Sequence, residues 1–140
     1  MATFNRKEDI EAWQLARQLC QEVQAVCVRT ELRKDVNLRD QISASSGSVM
    51  DNIAEGFGRG GNREFFQFLE IAHASCLETQ SQLYRVLDKC YIDEAWFERV
   101  YRLSKRTSGA IVGLIRYLQL CEIRGPRFKI GSPNPKPPKP

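Results

Sequence analysis

Apolar residues recur every three to four positions along almost the whole chain, and this spacing limits the fold more than any other feature. The stretch that begins at Phe65 shows it well, because Leu69, Ala72, Cys76 and Leu83 continue one helical face. No window alternates apolar and polar residues convincingly with the period of two that a half-buried strand requires. The pattern therefore predicts an all-α protein with four long helices.

The ends of the first two helices are predicted from capping residues. Asn5 and Glu8 have the spacing of a capping box, so the first helix is predicted to begin there and to run to about residue 29. Its apolar face is unusually wide. Asn37 is the predicted cap of the second helix, which is predicted to stop near Glu55-Gly56 because glycine relieves the strain of a left-handed C-terminal cap.

The third and fourth helices are predicted in the same way. Asn62 is the predicted cap of the third helix, whose apolar stripe continues for about seven turns. Asp93 is the predicted cap of the fourth helix, and Gly125-Pro126 is predicted to end it. Four long helices with short connections predict an antiparallel up-down-up-down four-helix bundle over residues 1–124.

Residues 125–140 are rich in proline and lysine and are predicted to form a disordered tail. Such a segment cannot bury enough apolar surface to offset the entropy of ordering it. The chain has 21 basic and 17 acidic residues, and four of the basic residues lie in this tail, which has no acidic residue. Residues 1–124 are therefore formally neutral, and the net charge of +4 does not by itself indicate a basic binding surface.

Composition also restricts the compartment in which the chain is expected to work. No apolar run approaches the roughly 18 residues of a membrane span, and the charged start of the chain lacks the apolar stretch of a signal peptide. We therefore expect a cytoplasmic protein with no membrane partner. Five cysteines without a C-x-x-C pair fit that compartment, and buried thiols are favoured over a disulfide or zinc framework.

The glycines at Gly56, Gly58 and Gly61 have the spacing G-x-G-x-x-G of a dinucleotide-binding loop. Such a loop needs a strand before the glycines, whereas the preceding segment here is predicted to be a helix. We therefore interpret the stretch as a turn between two helices, with glycines that permit positive φ, and predict no cofactor. A phosphate held by Arg59, Arg63 and the free N–H groups of the third helix is the alternative.

The stretch DNIAEGFGRGGNREFFQFLEIAHASCLE resembles the signature of the 23S rRNA intervening-sequence protein family, which consists of small bacterial four-helix proteins. The resemblance extends over residues from about 4 to 120. It rests on these groups: Asn52-Ile53-Ala54-Glu55-Gly56, Gly58-Arg59, Glu64-Phe65, Phe68-Leu69, Ile71-Ala72, Ser75 and Glu78. Two features depart from the family pattern. The family often has a proline a few residues before Asn52, whereas Val49-Met50-Asp51 contains none, and the tail has no counterpart in the family.

The resemblance implies a left-handed four-helix bundle that assembles as a homopentamer. It also implies relatives that are encoded inside large-subunit rRNA genes. Other relatives resemble accessory proteins of diversity-generating retroelements, which bind a reverse transcriptase and nucleic acid. No catalytic residue carries over from the family.

Residues with chemical potential are few. Glu70 and His73 form the E-x-x-H pair of di-iron bundles, but such a site needs two of these motifs and two further carboxylates. His73 is the single histidine of the chain, so a Ser-His-Asp triad would also depend on it. We therefore predict no metal, no catalytic residue and no enzymatic activity.

A second stripe on the third helix lies beside its core stripe. Its members are Phe66, His73, Leu77 and Tyr84. A bundle standing alone would expose part of this aromatic surface, which favours a subunit interface and a homo-oligomer. The alternative is that these residues belong to a wide core face.

The fourth helix carries the strongest candidate binding surface. No acidic residue lies between Arg99 and Cys121, and the basic residues there fall within an arc of roughly 120° opposite the apolar stripe. They are Arg99, Arg102, Lys105, Arg106 and Arg116. Gly109 and Gly113 share the arc, so a phosphate backbone could come close. Only Tyr117 stands near these cations as an aromatic residue, so little base stacking is expected, and an ordinary solvated face is the alternative.

These observations favour a non-enzymatic, homo-oligomeric four-helix bundle that binds RNA or DNA through phosphate contacts. The resemblance adds the hypothesis that it is an accessory to an RNA- or reverse-transcriptase-containing assembly. The alternative is a protein-interaction scaffold with no nucleic-acid role, in which the tail is a proline-rich ligand. The neutral body favours the scaffold, whereas the basic arc and the tail favour nucleic-acid binding.

Overall fold

The computed structural model describes residues 4–124, with side chains described as far as residue 121. Within that range the chain forms four α-helices and two short 3-10 helices, and it contains no strand. The α-helices are α1 (Glu11–Arg29), α2 (Val36–Arg59), α3 (Asn62–Asp88) and α4 (Glu94–Arg124). The predicted all-α class and its four helices are confirmed.

The helices close around one hydrophobic core. Each packs against the next along the chain, and α1 also packs against α4, so the four surround a shared interior. Leu19 of α1, Ile53 of α2, Phe65 and Leu83 of α3 and Ile111 of α4 are almost fully buried there. Each helix thus contributes its apolar stripe, as the periodicity predicts.

The start of α1 differs from the prediction. Residues Lys7–Asp9 form a 3-10 helix, and the Arg6 backbone N–H, not that of Asn5, donates to the Asp9 carboxylate at 3.2 Å. Ile10 then adopts an extended conformation and is only 1% exposed. Its burial in the core separates the short turn from α1, which therefore begins at Glu11 rather than near Asn5. The predicted end near residue 29 is confirmed.

The start of α2 is capped two residues earlier than predicted. The Asp35 carboxylate accepts a hydrogen bond from the Leu38 N–H at 3.4 Å. It also accepts from the Lys89 ammonium and from the Tyr91 hydroxyl, each at 2.8 Å. Asn37, the predicted cap, is exposed inside the first turn. The N-cap position of α2 is therefore set by Asp35, because its carboxylate caps the helix and also holds the α3–α4 connection against it.

The end of α2 lies one turn beyond the predicted Glu55-Gly56. The helix continues to Arg59, and Gly60 takes the left-handed conformation with φ 82°. Gly56 is buried inside the helix, where an added Cβ would lie 2.6 Å from the Cβ of Phe68. Gly56 therefore allows α3 to approach α2 closely and does not end the helix.

The start of α3 is likewise shifted, by one residue, whereas the start of α4 is as predicted. Gly61 occupies the N-cap position of α3, and Asn62, the predicted cap, is the buried first residue of the helix. Asp93 caps α4 as predicted, because its carboxylate accepts from the Trp96 N–H at 2.8 Å. Gly125-Pro126 and the predicted tail, residues 125–140, lie outside the described residues.

The wide apolar face of α1 is covered within the chain itself. Trp13, Leu15, Leu19 and Val26 are all buried. Since α1 packs against both α2 and α4, its two edges face separate neighbours. The width of this face therefore gives no argument for a second subunit.

A line of polar contacts runs along the buried α2–α3 interface. The hydroxyls of Ser45 and Thr79 lie 2.8 Å apart, and Ser45 also donates to the side-chain oxygen of Gln82 at 2.5 Å. One turn further on, the Ser48 and Ser75 hydroxyls are 2.8 Å apart. These paired buried groups fix the register of α2 against α3, because a slip would leave polar atoms without partners.

Candidate nucleic-acid interface

The fold turns one face of α4 outward. Phe97, Val100, Ile111 and Leu118 are buried on the inner side of the helix. Residues half a helical turn away are therefore directed to solvent. All five basic residues of the predicted arc are exposed, and the four without an ion-pair partner among the described residues form what we call the α4 basic face. They are Arg102, Lys105, Arg106 and Arg116.

Glu98 lies one helical turn before Arg102, at the edge of the α4 basic face, but forms no ion pair with it. No acidic residue lies on α4 between residues 99 and 121. Among the described residues, none forms an ion pair with these four side chains. Four like charges on about four turns of helix create a positive potential that an anion would reduce.

Arg99, the fifth residue of the predicted arc, has a different role. Its guanidinium donates to both carboxylate oxygens of Glu22 on α1, at 2.8 and 3.1 Å. The neighbouring carboxylate raises the pKa of Arg99 and balances its charge. Arg99 therefore ties α4 to α1 and stands apart from the α4 basic face.

Two glycines open the middle of the α4 basic face. An added Cβ at Gly109 or at Gly113 would meet no described atom within 4 Å. Glycine inside a helix costs about 1 kcal/mol relative to alanine, and packing within the chain does not require it at either position. The open backbone gives a ligand close access between Arg106 and Arg116.

An aromatic cluster that sequence reasoning missed borders this face across the α3–α4 groove. Phe97 and Tyr101 of α4 stack with ring centroids 5.2 Å apart. Tyr84 of α3 contacts both rings, at 4.8 Å from Phe97 and 5.3 Å from Tyr101. We call these three residues the α3–α4 aromatic cluster. The four-residue spacing of Phe97 and Tyr101 on α4 could have indicated that these two rings meet, but not that Tyr84 of α3 joins them.

Exposure increases across the cluster from the core outward. Phe97 is buried, Tyr101 is half-buried, and Tyr84 is 46% exposed. The hydroxyl of Tyr101 and then the charge of Glu98 raise the pKa of Tyr84, whereas the charge of Lys105 lowers it. A cation of the α4 basic face and a carboxylate, those of Lys105 and Glu98, therefore both lie near the Tyr84 phenol.

The predicted second stripe of α3 is only partly exposed. Phe66 packs against the core and His73 is half-buried, whereas Leu77 is 49% exposed. Tyr84 and Phe66 are 18 residues apart, about 27 Å along the helix, so the two ends of the stripe can have separate roles. The assignment of this stripe to a subunit interface stays a prediction.

The other candidate sites from the sequence lie elsewhere. Arg59 donates to Glu55 at 2.9 Å and lies over the Phe68 ring at 5.1 Å, so it is directed back along its own turn. Glu70 is exposed on α3. Among the described side chains, no three histidine, cysteine or acidic groups converge as metal ligands would.

A groove away from α4 lies between α1 and α2. It has a volume of about 620 Å³ and is lined by Cys20, Ser46, Gly47 and Met50 among others. The Cys20 thiol donates to the Ser46 carbonyl at 3.0 Å, and burial raises the pKa of this thiol.

No described helix is long and apolar enough to span a bilayer.

Fold and surface together define a small four-helix bundle protein with one basic helix face. The sequence model of the family described as 23S rRNA-intervening sequence protein matches residues 8–113. The chain therefore belongs to the 23S rRNA-intervening sequence protein family, and the resemblance noted in the sequence is confirmed.

A solved structure supports the fold. It is a protein with unknown function from the S23 ribosomal protein family of Bacteroides thetaiotaomicron. The two chains are 19% identical and align with a TM-score of 0.69, covering 79% of this chain and 98% of that one. At this identity the similarity shows a shared fold alone. No curated protein matches the chain.

Proposed function

We propose that the protein is a non-enzymatic, cytoplasmic four-helix bundle that binds RNA or DNA through phosphate contacts of the α4 basic face. The observation that carries this proposal is the group of four exposed cations without an ion-pair partner among the described residues. Residues 1–124 are formally neutral with these four cations included, so their grouping on one helix face is a local excess of positive charge. Arginine and lysine side chains that neutralise phosphates supply most of the affinity of sequence-independent binding.

Family membership gives the proposal a context. The family is described by its connection with 23S rRNA intervening sequences, which links its members to an RNA gene. From the same resemblance we propose an accessory role in an RNA- or reverse-transcriptase-containing assembly, and a homo-oligomer of five copies. Several copies of one weak surface on a single particle would raise the overall affinity.

A scaffold without a nucleic-acid role is the second candidate. Exposed apolar side chains favour it, since Ile71, Leu77 and Leu120 are each nearly half exposed. Leu120 even lies close to Arg116 along α4. In this case the basic residues would serve solubility, and a protein partner would cover the apolar ones.

A titration with fluorescently labelled oligonucleotides at low salt separates the two candidates. Changing Arg102, Lys105 and Arg106 to Gln should weaken binding about tenfold or more, because three phosphate contacts are lost. The matched control changes two arginines and one lysine that are exposed elsewhere, Arg17, Arg29 and Lys34, and should retain most of the affinity. A variant without residues 126–140 measures the contribution of the tail.

Three results would contradict the proposal. If the intact protein binds neither RNA nor DNA at low salt, the scaffold takes its place. If both triple variants weaken binding equally, only the total charge matters and the α4 basic face is not the site. Loss of binding in the tail variant alone would place the contacts in residues 126–140.

A further inference from the structure

We propose that the α3–α4 aromatic cluster is a base-stacking platform that makes single-stranded nucleic acid the preferred ligand. The proposal rests on the proposed function, because it assigns the bases of the strand whose phosphates the α4 basic face binds. Tyr84 is the residue on which a base would stack, and Tyr101 extends the platform toward Lys105.

The cluster holds an exposed ring rigidly. Tyr84 contacts Phe97 at 4.8 Å and Tyr101 at 5.3 Å, while Phe97 itself is only 5% exposed. Almost half of Tyr84 nevertheless remains accessible. Its neighbours Leu83 and Val86 already fill the core at this level of α3, so packing does not account for an aromatic residue at the surface.

Two cations lie next to the aromatic rings here, together with the carboxylate of Glu98. Tyr101 and Lys105 are one helical turn apart on α4, and Arg102 follows Tyr101 directly. Tyr84 is brought to the same place from α3, across the groove. Proteins that bind single strands without sequence preference combine a positively charged surface with aromatic side chains on which bases stack.

The geometry discriminates between single and double strands. The faces of bases inside a duplex are covered by their neighbours, so a surface ring can stack only on unpaired bases. A duplex could still use the phosphate contacts of the α4 basic face. The expectation of little base stacking counted only Tyr117 beside the cations, and Tyr101 of α4 and Tyr84 of α3 are our reasons to revise it.

The test compares a labelled single-stranded oligonucleotide with a duplex of the same sequence, using the full chain at low salt. Tyr84→Leu should weaken single-strand binding about tenfold and leave duplex binding within twofold. Tyr84→Phe keeps the ring and should retain single-strand binding. Thermal unfolding of both variants checks that the bundle is intact, and light scattering checks that the assembly is unchanged.

A second measurement needs no substitution. An oligonucleotide with 5-iodouracil, irradiated on the intact protein, should cross-link to Tyr84 or Tyr101, as identified by mass spectrometry. Cross-links confined to other residues would overturn the platform.

The outcomes distinguish the stacking platform from the proposed phosphate binding by the α4 basic face. If the protein binds both ligands equally and Tyr84→Leu changes neither, the platform is wrong while phosphate binding stands. If Tyr84→Leu instead reduces the assembled mass and leaves binding unchanged, Tyr84 belongs to a subunit interface and the platform is wrong. If the intact protein binds neither ligand, both proposals fail.

Discussion

At the scale of single residues, Asp35 connects parts of the chain that lie far apart in sequence. Its carboxylate accepts from the Leu38 N–H of α2 and from Lys89 and Tyr91, which lie 54 and 56 residues away in the α3–α4 connection. The contacts with Lys89 and then Tyr91 lower the pKa of Asp35 to about 2. One side chain therefore sets both the start of α2 and the position of this connection.

The lowered pKa predicts how Asp35 contributes to stability as pH changes. Because its folded pKa of about 2 lies below the ordinary value of 3.8, the folded state binds fewer protons than the unfolded state between these values. The contribution is complete above about pH 4 and is lost as pH falls toward 2. The melting temperature of wild type should be higher than that of Asp35→Asn, and the difference should be larger at pH 7 than at pH 2. An equal difference at both pH values would contradict this account.

Cys90 is a second single residue whose substitution should change the free energy of unfolding. Its backbone has φ 63°, in the left-handed region. It follows the end of α3, where the next N–H, that of Tyr91, donates to the Val86 carbonyl at 3.2 Å. A side chain costs roughly 1–2 kcal/mol in this conformation. Cys90→Gly should therefore raise the free energy of unfolding by about 1 kcal/mol. Cys90→Ala keeps the strain and should show no such gain. If Cys90→Gly is no more stable than Cys90→Ala, the left-handed backbone at this position is not strained.

At the scale of helices, the α2–α3 pair shows two glycines of one motif with opposite roles. Gly56 allows the close approach of Phe68, whereas a Cβ at Gly58 would meet no described atom within 4 Å. Gly56→Ala should destabilise the protein by roughly 1–3 kcal/mol because the helices must separate. Gly58→Ala should stabilise it by up to about 1 kcal/mol through helix propensity. Chemical denaturation of both variants is the measurement, and the same sign for both would refute the packing role of Gly56.

The helices themselves could be predicted from the sequence, because a period of 3.6 residues is a local property of the chain. Their ends could not, since the choice among capping residues depends on distant partners. Asp35 prevails over Asn37 through Lys89 and Tyr91. Gly56 is required by the close approach of Phe68 inside α2, and the left-handed residue that ends the helix is Gly60.

The candidate site also divides into features that are local to one helix and features that depend on a second helix. The α4 basic face lies on one helix, so helical spacing alone predicted which residues share it. Two features that require a second helix were missed: the Arg99 contact with Glu22, 77 residues away, and the Tyr84 contact with Tyr101. Neither has a signal in the pattern of a single helix.

At the scale of the whole molecule, the single chain buries the wide face of α1 but leaves Ile71 and Leu77 of α3 nearly half exposed. These residues carry the prediction of a homo-oligomer. Light scattering at micromolar concentration should give a mass that is a multiple of 16.1 kDa. Changing Ile71 and Leu77 to polar residues should reduce that mass more than it reduces stability, because both side chains are nearly half exposed. A mass near 16.1 kDa for the intact protein would rule out assembly.

Binding of nucleic acid through the phosphates also has a signature at the scale of the whole molecule, since it depends on salt. Each phosphate contact adds about 0.7–0.9 to the slope of log affinity against log salt concentration, because neutralised phosphates release counterions. The central claim is therefore tested most directly by measuring this slope between about 50 and 200 mM salt. The variant with Arg102, Lys105 and Arg106 changed to Gln should have a slope shallower by about 2 than wild type, whereas the variant with Arg17, Arg29 and Lys34 changed to Gln should match it. Equal slopes for wild type and the α4 variant would contradict the assignment of phosphate contacts to this face.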